Sequence, residues 1–536
     1  MGNQLQTLDY IVFLVYFVIV AGYGYWIYQR KKLAEASATD FFLAEGSLTW
    51  WAIGASLIAS NISAEQFIGM SGSGFAMGLA IASYEWMAAA TLIVVAVFFM
   101  PGYIANKIYT MPQFLEKRFS PLVATMMAVF WLLVYVFVNL TSILYLGAIA
   151  VSTISGFSFT ACALFLAVFA IVITLGGMKV IGYTDVIQVA ILVLGGLATT
   201  YLALDLVAQQ FGGEGMWAGL GHLRKQAPDH FHMIFDESNP YYKDLPGMTV
   251  LIGAMWIANL NYWGCNQYIT QRALGAKLET ARSGLLFAAL LKLLMPIIVV
   301  LPGIAAFVLY KQGMFQSELV NAAGEVKPDK AYPVLLNLLG PGLKGLSFAA
   351  LTAAIVASLA GKANSIATIF TLDLYKKYMD QSAGEAKQVL IGRWVIIVSM
   401  IIAVLVAPQL QRLEQGFQFI QEFTGLISPG VVAIFLLGFF WKRATAPAAF
   451  VAALATIPMG FGIKVLMPEV PFLDRMGWVF LTLVALMAVI SLLDPKSKDN
   501  PKAMKVEASM FRTSPTFAIG ALLITGVLAA LYIVFW

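Results

Sequence analysis

Charge is scarce in this chain, and so are cysteine and histidine. Only 11% of the 536 residues are charged, with two cysteines and three histidines. Against 60% hydrophobic residues and a mean hydropathy of +0.83, that excludes a soluble domain of this size. Cys162 and Cys265 lie inside apolar runs, so they read as buried small side chains and not as a disulfide. His230 and His232 fall at i,i+2 with no cysteine or carboxylate cluster beside them, so they read as loop histidines and not as a metal site. There is no HExxH, nucleophile elbow or phosphate-cradling loop. The alternation of barrel strands is also missing, which leaves helices as the way across a bilayer. The net charge of +5 lies in the connections between apolar runs and is no sign of nucleic-acid binding.

What is present is a series of runs long enough to span. Fourteen are expected, at about 8–28, 50–71, 80–105, 119–150, 157–177, 180–206, 248–267, 282–310, 340–373, 388–412, 418–441, 444–466, 474–493 and 514–536. The first has no basic flank before it and no small-residue cleavage site, so it reads as a retained helix. Alternate connections carry the basic residues: Arg30 to Lys32, Lys107 with Lys117 and Arg118, Lys179, Arg272 with Lys277 and Arg282, Lys376 with Lys377 and Lys387, Lys442 with Arg443, and a cluster from Lys496 to Arg512. These predict the cytoplasmic side. The opposite side then holds both termini and the two long connections, about 207–247 and 311–339. The cluster near 494–512 reads as an anchor against lipid headgroups.

Ionisable groups inside a bilayer are costly and usually line a cavity or a pathway. Here they are Glu65, Glu85, Asp185, Lys292 and Lys362, with Asn61, Gln66, Asn259, Asn261, Gln421 and Glu422 around them. Tyr84, Trp86, Tyr135, Tyr262, Trp263 and Phe417 are aromatic neighbours. Amides, charges and flat rings suit a neutral polyol, whose hydroxyls donate and accept while its C–H face packs on a ring. Interhelical packing is the plainer reading for any single amide. Two spans have polar centres, Asn61–Gln66 and Asn259–Gly264, and both are expected to unwind there. Five spans separate their starts, so they run in opposite directions. That is the pattern of an inverted repeat with a midplane site, where free carbonyls meet a cation. A glycosidase would need two carboxyls flanking a scissile bond. Glu65 and Glu85 lie at membrane depth with no soluble domain to present a substrate, so the chain is not read as an enzyme. A channel filter is equally missing.

The stretches ASLIASNISAEQFIGMSGSG at 55–74, ASYEWM at 82–87, FVNLTS at 137–142, YTDVIQ at 183–188, NQYITQRALGAK at 266–277, FAALLKLLMP at 287–296, NSIATIFTLDLY at 364–375 and FIQEFTGLISPG at 419–430 resemble the sodium/solute symporter family, closest to its bacterial sodium/galactose members. The resemblance covers nearly the whole chain. It implies an all-α polytopic protein of fourteen transmembrane helices with a leucine-transporter-type core of two inverted five-helix repeats. Residues 1–49 would hold an extra helix and a basic loop, 50–206 the first repeat, 207–247 an extracellular loop, 248–441 the second repeat, and 442–536 three further helices. It implies sodium-driven import of galactose or glucose across a bacterial inner membrane, with a monomer sufficient for transport. Asn61, Gln66, Glu85, Asn259, Lys292 and Gln421 would bind sugar, and Tyr262 would stack on it from the inner side. Met70, Tyr84 and Phe417 would form the outer gate, with Trp263 placed among the gate residues. The carbonyls of Ala59, Ile62 and Ala354 and the hydroxyl of Ser358 would hold sodium.

Two positions depart from the family pattern. Ala88 stands where a serine contacts sugar, and loss of a hydrogen bond costs about 0.5–1.5 kcal/mol. In AAIVASLAGKANS at 353–365, Ala357 stands where the first of two adjacent serines is expected, and Lys362 replaces an apolar residue. Ser358 and Lys362 share a helix face at i,i+4. Two couplings follow. In one, sodium binds through the remaining ligands, more weakly. In the other, Lys362 replaces the ion and transport is sodium-independent or proton-coupled, or the chain is a sugar sensor. Asp185 would partner Lys362.

Overall fold

The computed structural model describes residues 5–31, 49–108, 111–176, 178–274, 276–321, 324–413 and 415–536. Among them the regular structure is helical, apart from one isolated bridge between Val320 and Val326. Nine helices among the described residues are long and apolar enough to cross a membrane, or ten counting Gly416–Thr424 and Ser428–Phe440, which bend by 46°. The expected count of fourteen is not reached on that criterion. Several runs form shorter or interrupted helices, such as Trp50–Asn61, Phe159–Gly176, and Met248–Ile252 followed by Ala254–Gly264. Leu454, Leu466, Leu481, Leu522 and Leu523 are exposed on the C-terminal helices, as a lipid-facing surface requires.

The first polar centre does unwind. The Trp50–Asn61 helix stops at Ile62, whose φ and ψ of −68° and 106° are extended, and a π-helical segment restarts at Glu65. An α-helix returns each N–H to the carbonyl four residues back. Here the Ser63 N–H donates to Gln66 Oε1 at 3.3 Å and the Glu65 N–H to Ser63 Oγ at 3.1 Å. The carbonyls of Ala59 and Asn61 lose their helical donors.

The second polar centre does not unwind, contrary to expectation. Asn259 to Trp263 lie inside the Ala254–Gly264 helix, and the break falls at Gly253, with φ and ψ of −116° and −124°. The asparagines are satisfied without opening the backbone. Asn259 Nδ2 donates to the Met255 carbonyl at 3.1 Å, and Asn261 Nδ2 to Ser428 Oγ at 2.9 Å.

The Leu278–Lys311 helix is the central post. It packs against Trp50–Asn61, Ser71–Met77, Ser83–Val94 and Met178–Gln210. Small residues let the backbones meet. A Cβ on Gly54 would approach the Gly284 carbonyl at 2.7 Å, and one on Gly303 would run into the Ser71 carbonyl.

Hydrogen bonds sort the connections onto two ends of the bundle. At one end Asp9 accepts from the Gly342 and Gly345 N–H groups at 2.8 and 2.9 Å, capping the Leu343–Thr368 helix. The 207–247 connection meets the last residues at that end, through Met233 N–H to the Phe535 carbonyl at 2.7 Å. Both histidines are structural there. His230 stacks on Phe307 at 4.0 Å and bonds the Phe75 carbonyl at 3.1 Å, and His232 bonds the Trp536 carbonyl at 3.2 Å. Gly78, with φ +75°, gives the His230 backbone room. The basic connections meet at the other end. Arg282 donates to the Met510 and Arg512 carbonyls, and Lys502 to the Phe119 carbonyl.

Candidate functional site

A cavity lies beside the break, lined by residues on both sides of it. Its wall contains every residue expected to bind sugar: Asn61, Gln66, Glu85, Asn259, Lys292, Gln421 and Tyr262. The segments that bring them are the broken span, the Ser83–Val94 helix, the Ala254–Gly264 helix, the central post and the Gly416–Thr424 helix.

The polar centre of the wall is a buried ion pair. Lys292 Nζ lies 2.6 Å from Glu85 Oε2, with side chains 1% and 4% exposed. Lys292 also donates to Asn61 Oδ1 and stands 5.1 Å from the Trp263 ring centre. Asn61 Nδ2 in turn donates to the Tyr262 hydroxyl at 3.1 Å. Charge is thereby matched inside the wall, and Lys292 holds Asn61 and Glu85 in fixed positions. Such a surface presents hydrogen-bond donors and acceptors without net charge.

Of the expected gate residues, Tyr84, Phe417 and Trp263 line the cavity, and Tyr84 meets Phe417 edge-on at 5.1 Å. Met70 is fully buried at the end of the π-helical segment and does not line it. Ala88 is in the wall, at the position where the hydroxyl is missing. Sequence reasoning left out Thr424, Gly425, Ser428 and Met476, and Glu65 and Asn261 appeared among the polar residues without a site role. Glu65 and Asn261 each keep one buried oxygen with no hydrogen-bond partner.

For the cation, Ala59 and Ile62 flank the break, and Ala354 and Ser358 lie buried on the Leu343–Thr368 helix that packs against Trp50–Asn61. Among the described residues no cluster of histidine, cysteine and carboxylate side chains fits a transition metal. Carbonyls released at a helix break are oxygen donors of the kind that suit a hard cation. Lys362 sits one turn beyond Ser358, 5% exposed. Its Nζ lies 3.4 Å from Asn139 Oδ1 and over the rings of Tyr135 and Tyr268. The Asp185 side chain, expected as its partner, lies outside the described residues.

Away from the Lys292 cluster, Asp329 joins two segments. Its Oδ2 accepts the Gly416 N–H at 3.0 Å, next to Phe417, and a Cβ on Gly72 would approach its Oδ1 at 2.6 Å. Burial pushes the Asp329 carboxyl up to about 7, against the Gly416 hydrogen bond and the Lys327 charge. The folded state therefore holds this proton more tightly than the unfolded chain, where the value is about 3.9. The stability Asp329 contributes is fully present below pH ~4 and falls as pH rises towards 7. Asp329→Asn keeps an acceptor for Gly416 and should remove that slope. Thermal unfolding of purified protein between pH 4 and 8 checks it, and an unchanged slope refutes it.

A bundle of long apolar helices with a broken span and a polar cavity beside its freed carbonyls is the architecture of a secondary transporter. The chain belongs to the sodium:solute symporter family, whose model matches residues 41–456. It is 50% identical to a sodium/glucose cotransporter of Vibrio parahaemolyticus, covering 100% of this chain and 99% of that one. It is 34% identical to the mouse sodium/glucose cotransporter 4 over 83% of this chain and 67% of the relative. Its fold is that of a solved sodium-coupled sialic acid symporter, with a TM-score of 0.76, 22% identity, and coverage of 91% of this chain and 98% of that one.

Proposed function

We propose that this chain imports a hexose, galactose or glucose, together with sodium, by alternating access. The observation that carries the reading is the cavity wall. A charge-neutral cluster of Lys292, Glu85 and Asn61 shares one cavity with Gln66, Asn259 and Gln421, and Tyr262 and Trp263 add aromatic rings to its wall. The name of the Vibrio relative supports a sugar as cargo. Sodium would sit against the carbonyls of Ala59, Ile62 and Ala354 and the Ser358 hydroxyl. The two inverted repeats would be 50–206 and 248–441, preceded by the 1–49 segment and followed by the helices of 442–536. The basic connections would face the cytoplasm of a bacterial inner membrane, which places both termini outside.

In this cycle sugar enters from outside beneath Tyr84 and Phe417. Sodium binds the outward state more tightly and shifts the population towards it. Rocking of one bundle against the other then opens the Tyr262 side. The missing hydroxyl at Ala88 sets the preference among hexoses. Labelled galactose and glucose uptake into proteoliposomes tests the reading, with an inward sodium gradient against choline. Accumulation driven by sodium is the expected result. Accumulation of neither sugar overturns the hexose reading, and equal accumulation in choline overturns the sodium coupling.

A further inference from the structure

Lys362 is a buried cation on the Leu343–Thr368 helix whose charge the cavity wall does not use. Among the described residues no carboxylate oxygen lies within ion-pair distance of it. Its surroundings are nevertheless built. The Tyr135 and Tyr268 ring centres stand 4.5 and 4.9 Å from Nζ, and Asn139 Oδ1 accepts from it. Cation–π contact of this kind is strongest when desolvated. The rings are themselves fixed. Tyr135 donates to Asn266 Oδ1 at 2.7 Å, the same oxygen accepts the Tyr268 N–H at 3.1 Å, and the Tyr268 hydroxyl donates to the Ser60 carbonyl at 3.3 Å. Gly361 leaves room for the Tyr268 ring, which a Cβ there would approach at 2.8 Å. The cage is thus tied directly to the backbone break.

Across the break from Ser60 is Glu65, which opens the π-helical segment. It lines the cavity, and its Oε1 has no hydrogen-bond partner. Its carboxyl and the Lys362 ammonium are within electrostatic reach of each other. A buried carboxylate needs positive charge nearby. A sodium ion at the freed carbonyls would supply it only while bound, whereas the Lys362 amine is part of the chain and held in its cage.

We propose that Lys362 is a tethered cation that acts as a positioning residue. It holds Glu65 and the broken span in the sugar-binding arrangement, so that sugar binding to this chain depends only weakly on sodium. The proposal rests on the sodium–hexose reading above. The physical reason is linkage. Sodium raises sugar affinity only by what it changes at the shared element, and a charge already in place leaves less to change. A second cation beside Lys362 also meets its repulsion.

The test uses purified full-length protein in nanodiscs, with galactose binding measured in sodium chloride and in choline chloride at equal ionic strength. For the unaltered chain the two dissociation constants should differ by less than about 3-fold, below the usual 5–150-fold range of such couplings. Lys362→Met and Lys362→Gln should each widen the ratio beyond ~10-fold, well into that range, and Lys362→Arg should keep it small. The glutamine variant keeps an Asn139 partner, so it carries the test if the methionine variant does not fold. An unaltered chain already strongly sodium-dependent, or both neutral variants with its ratio, overturns the proposal. If no hexose binds at all, the hexose reading fails and sodium-dependent thermal stabilisation without sugar decides this one. Lys362→Gln should then bind sodium at least ~10-fold more tightly than the unaltered chain, the same scale of coupling, and equal affinity overturns it.

Discussion

Lys292→Ala should abolish sodium-driven hexose accumulation and destabilise the protein by about 3–5 kcal/mol, the cost of leaving one partner of a buried ion pair unpaired. Lys292 and Glu85 are 2.6 Å apart and almost fully enclosed, so neither charge can turn to water when the other is removed. Asn61 would also lose its anchor, and with it the orientation of Tyr262. The loss is asymmetric. Lys292→Met combined with Glu85→Gln removes both charges and should recover most of the stability while leaving transport dead. Thermal unfolding and proteoliposome uptake on the two variants and the unaltered chain check this. If the single and double variants are equally unstable, the pair is not what holds the wall. If Lys292→Ala still accumulates sugar, the cavity is not the transport site.

The second large effect is expected at Gly303. Its Cα faces the Ser71 carbonyl and the Phe75 N–H, so a methyl group there meets backbone and not a side chain that could swing aside. Overpacking in a filled interior costs about 1–3 kcal/mol even where side chains can move. Gly303→Ala should reach or exceed the top of that range, because the central post would have to leave the Ser71–Met77 helix. Little folded protein should survive detergent extraction. Gly221→Ala is the control, since no atom lies within 4 Å of the added carbon. Equal yields from the two variants would refute the close approach.

The sequence made the first broken span legible because its cause is local. Asn61 to Gln66 place polar side chains in an apolar run, and Ser63 and Gln66 then capture the amides that a helix would use. The same argument failed at Asn259–Trp263. There the asparagines find a carbonyl one turn back and a serine 167 residues away, and the second partner is invisible in a linear reading. The cavity wall was legible where residues are expensive in a membrane, as with Lys292 and Glu85. Met476 and Gly425 were not, because an apolar side chain and a glycine look the same in a packing helix as in a cavity wall. The Lys362 cage was half legible. The lysine stands out, but Tyr135 and Tyr268 come from segments whose meeting only the fold reveals.

Among the described residues π-helical segments occur at Glu65–Met70, Val95–Phe99, Tyr135–Leu140 and Ile369–Met379, the last at the end of its helix. A π turn carries about one residue more than an α turn, so each such turn fits an extra residue into the helix. Removing one residue from Tyr135–Leu140 would let the backbone heal into ordinary helix. It would also rotate every side chain on one flank by about 100° relative to the other. Lineages descending from this chain can therefore lose such a residue without unfolding the helix. They cannot lose it and keep Tyr135 and Asn139 pointed at the same lysine.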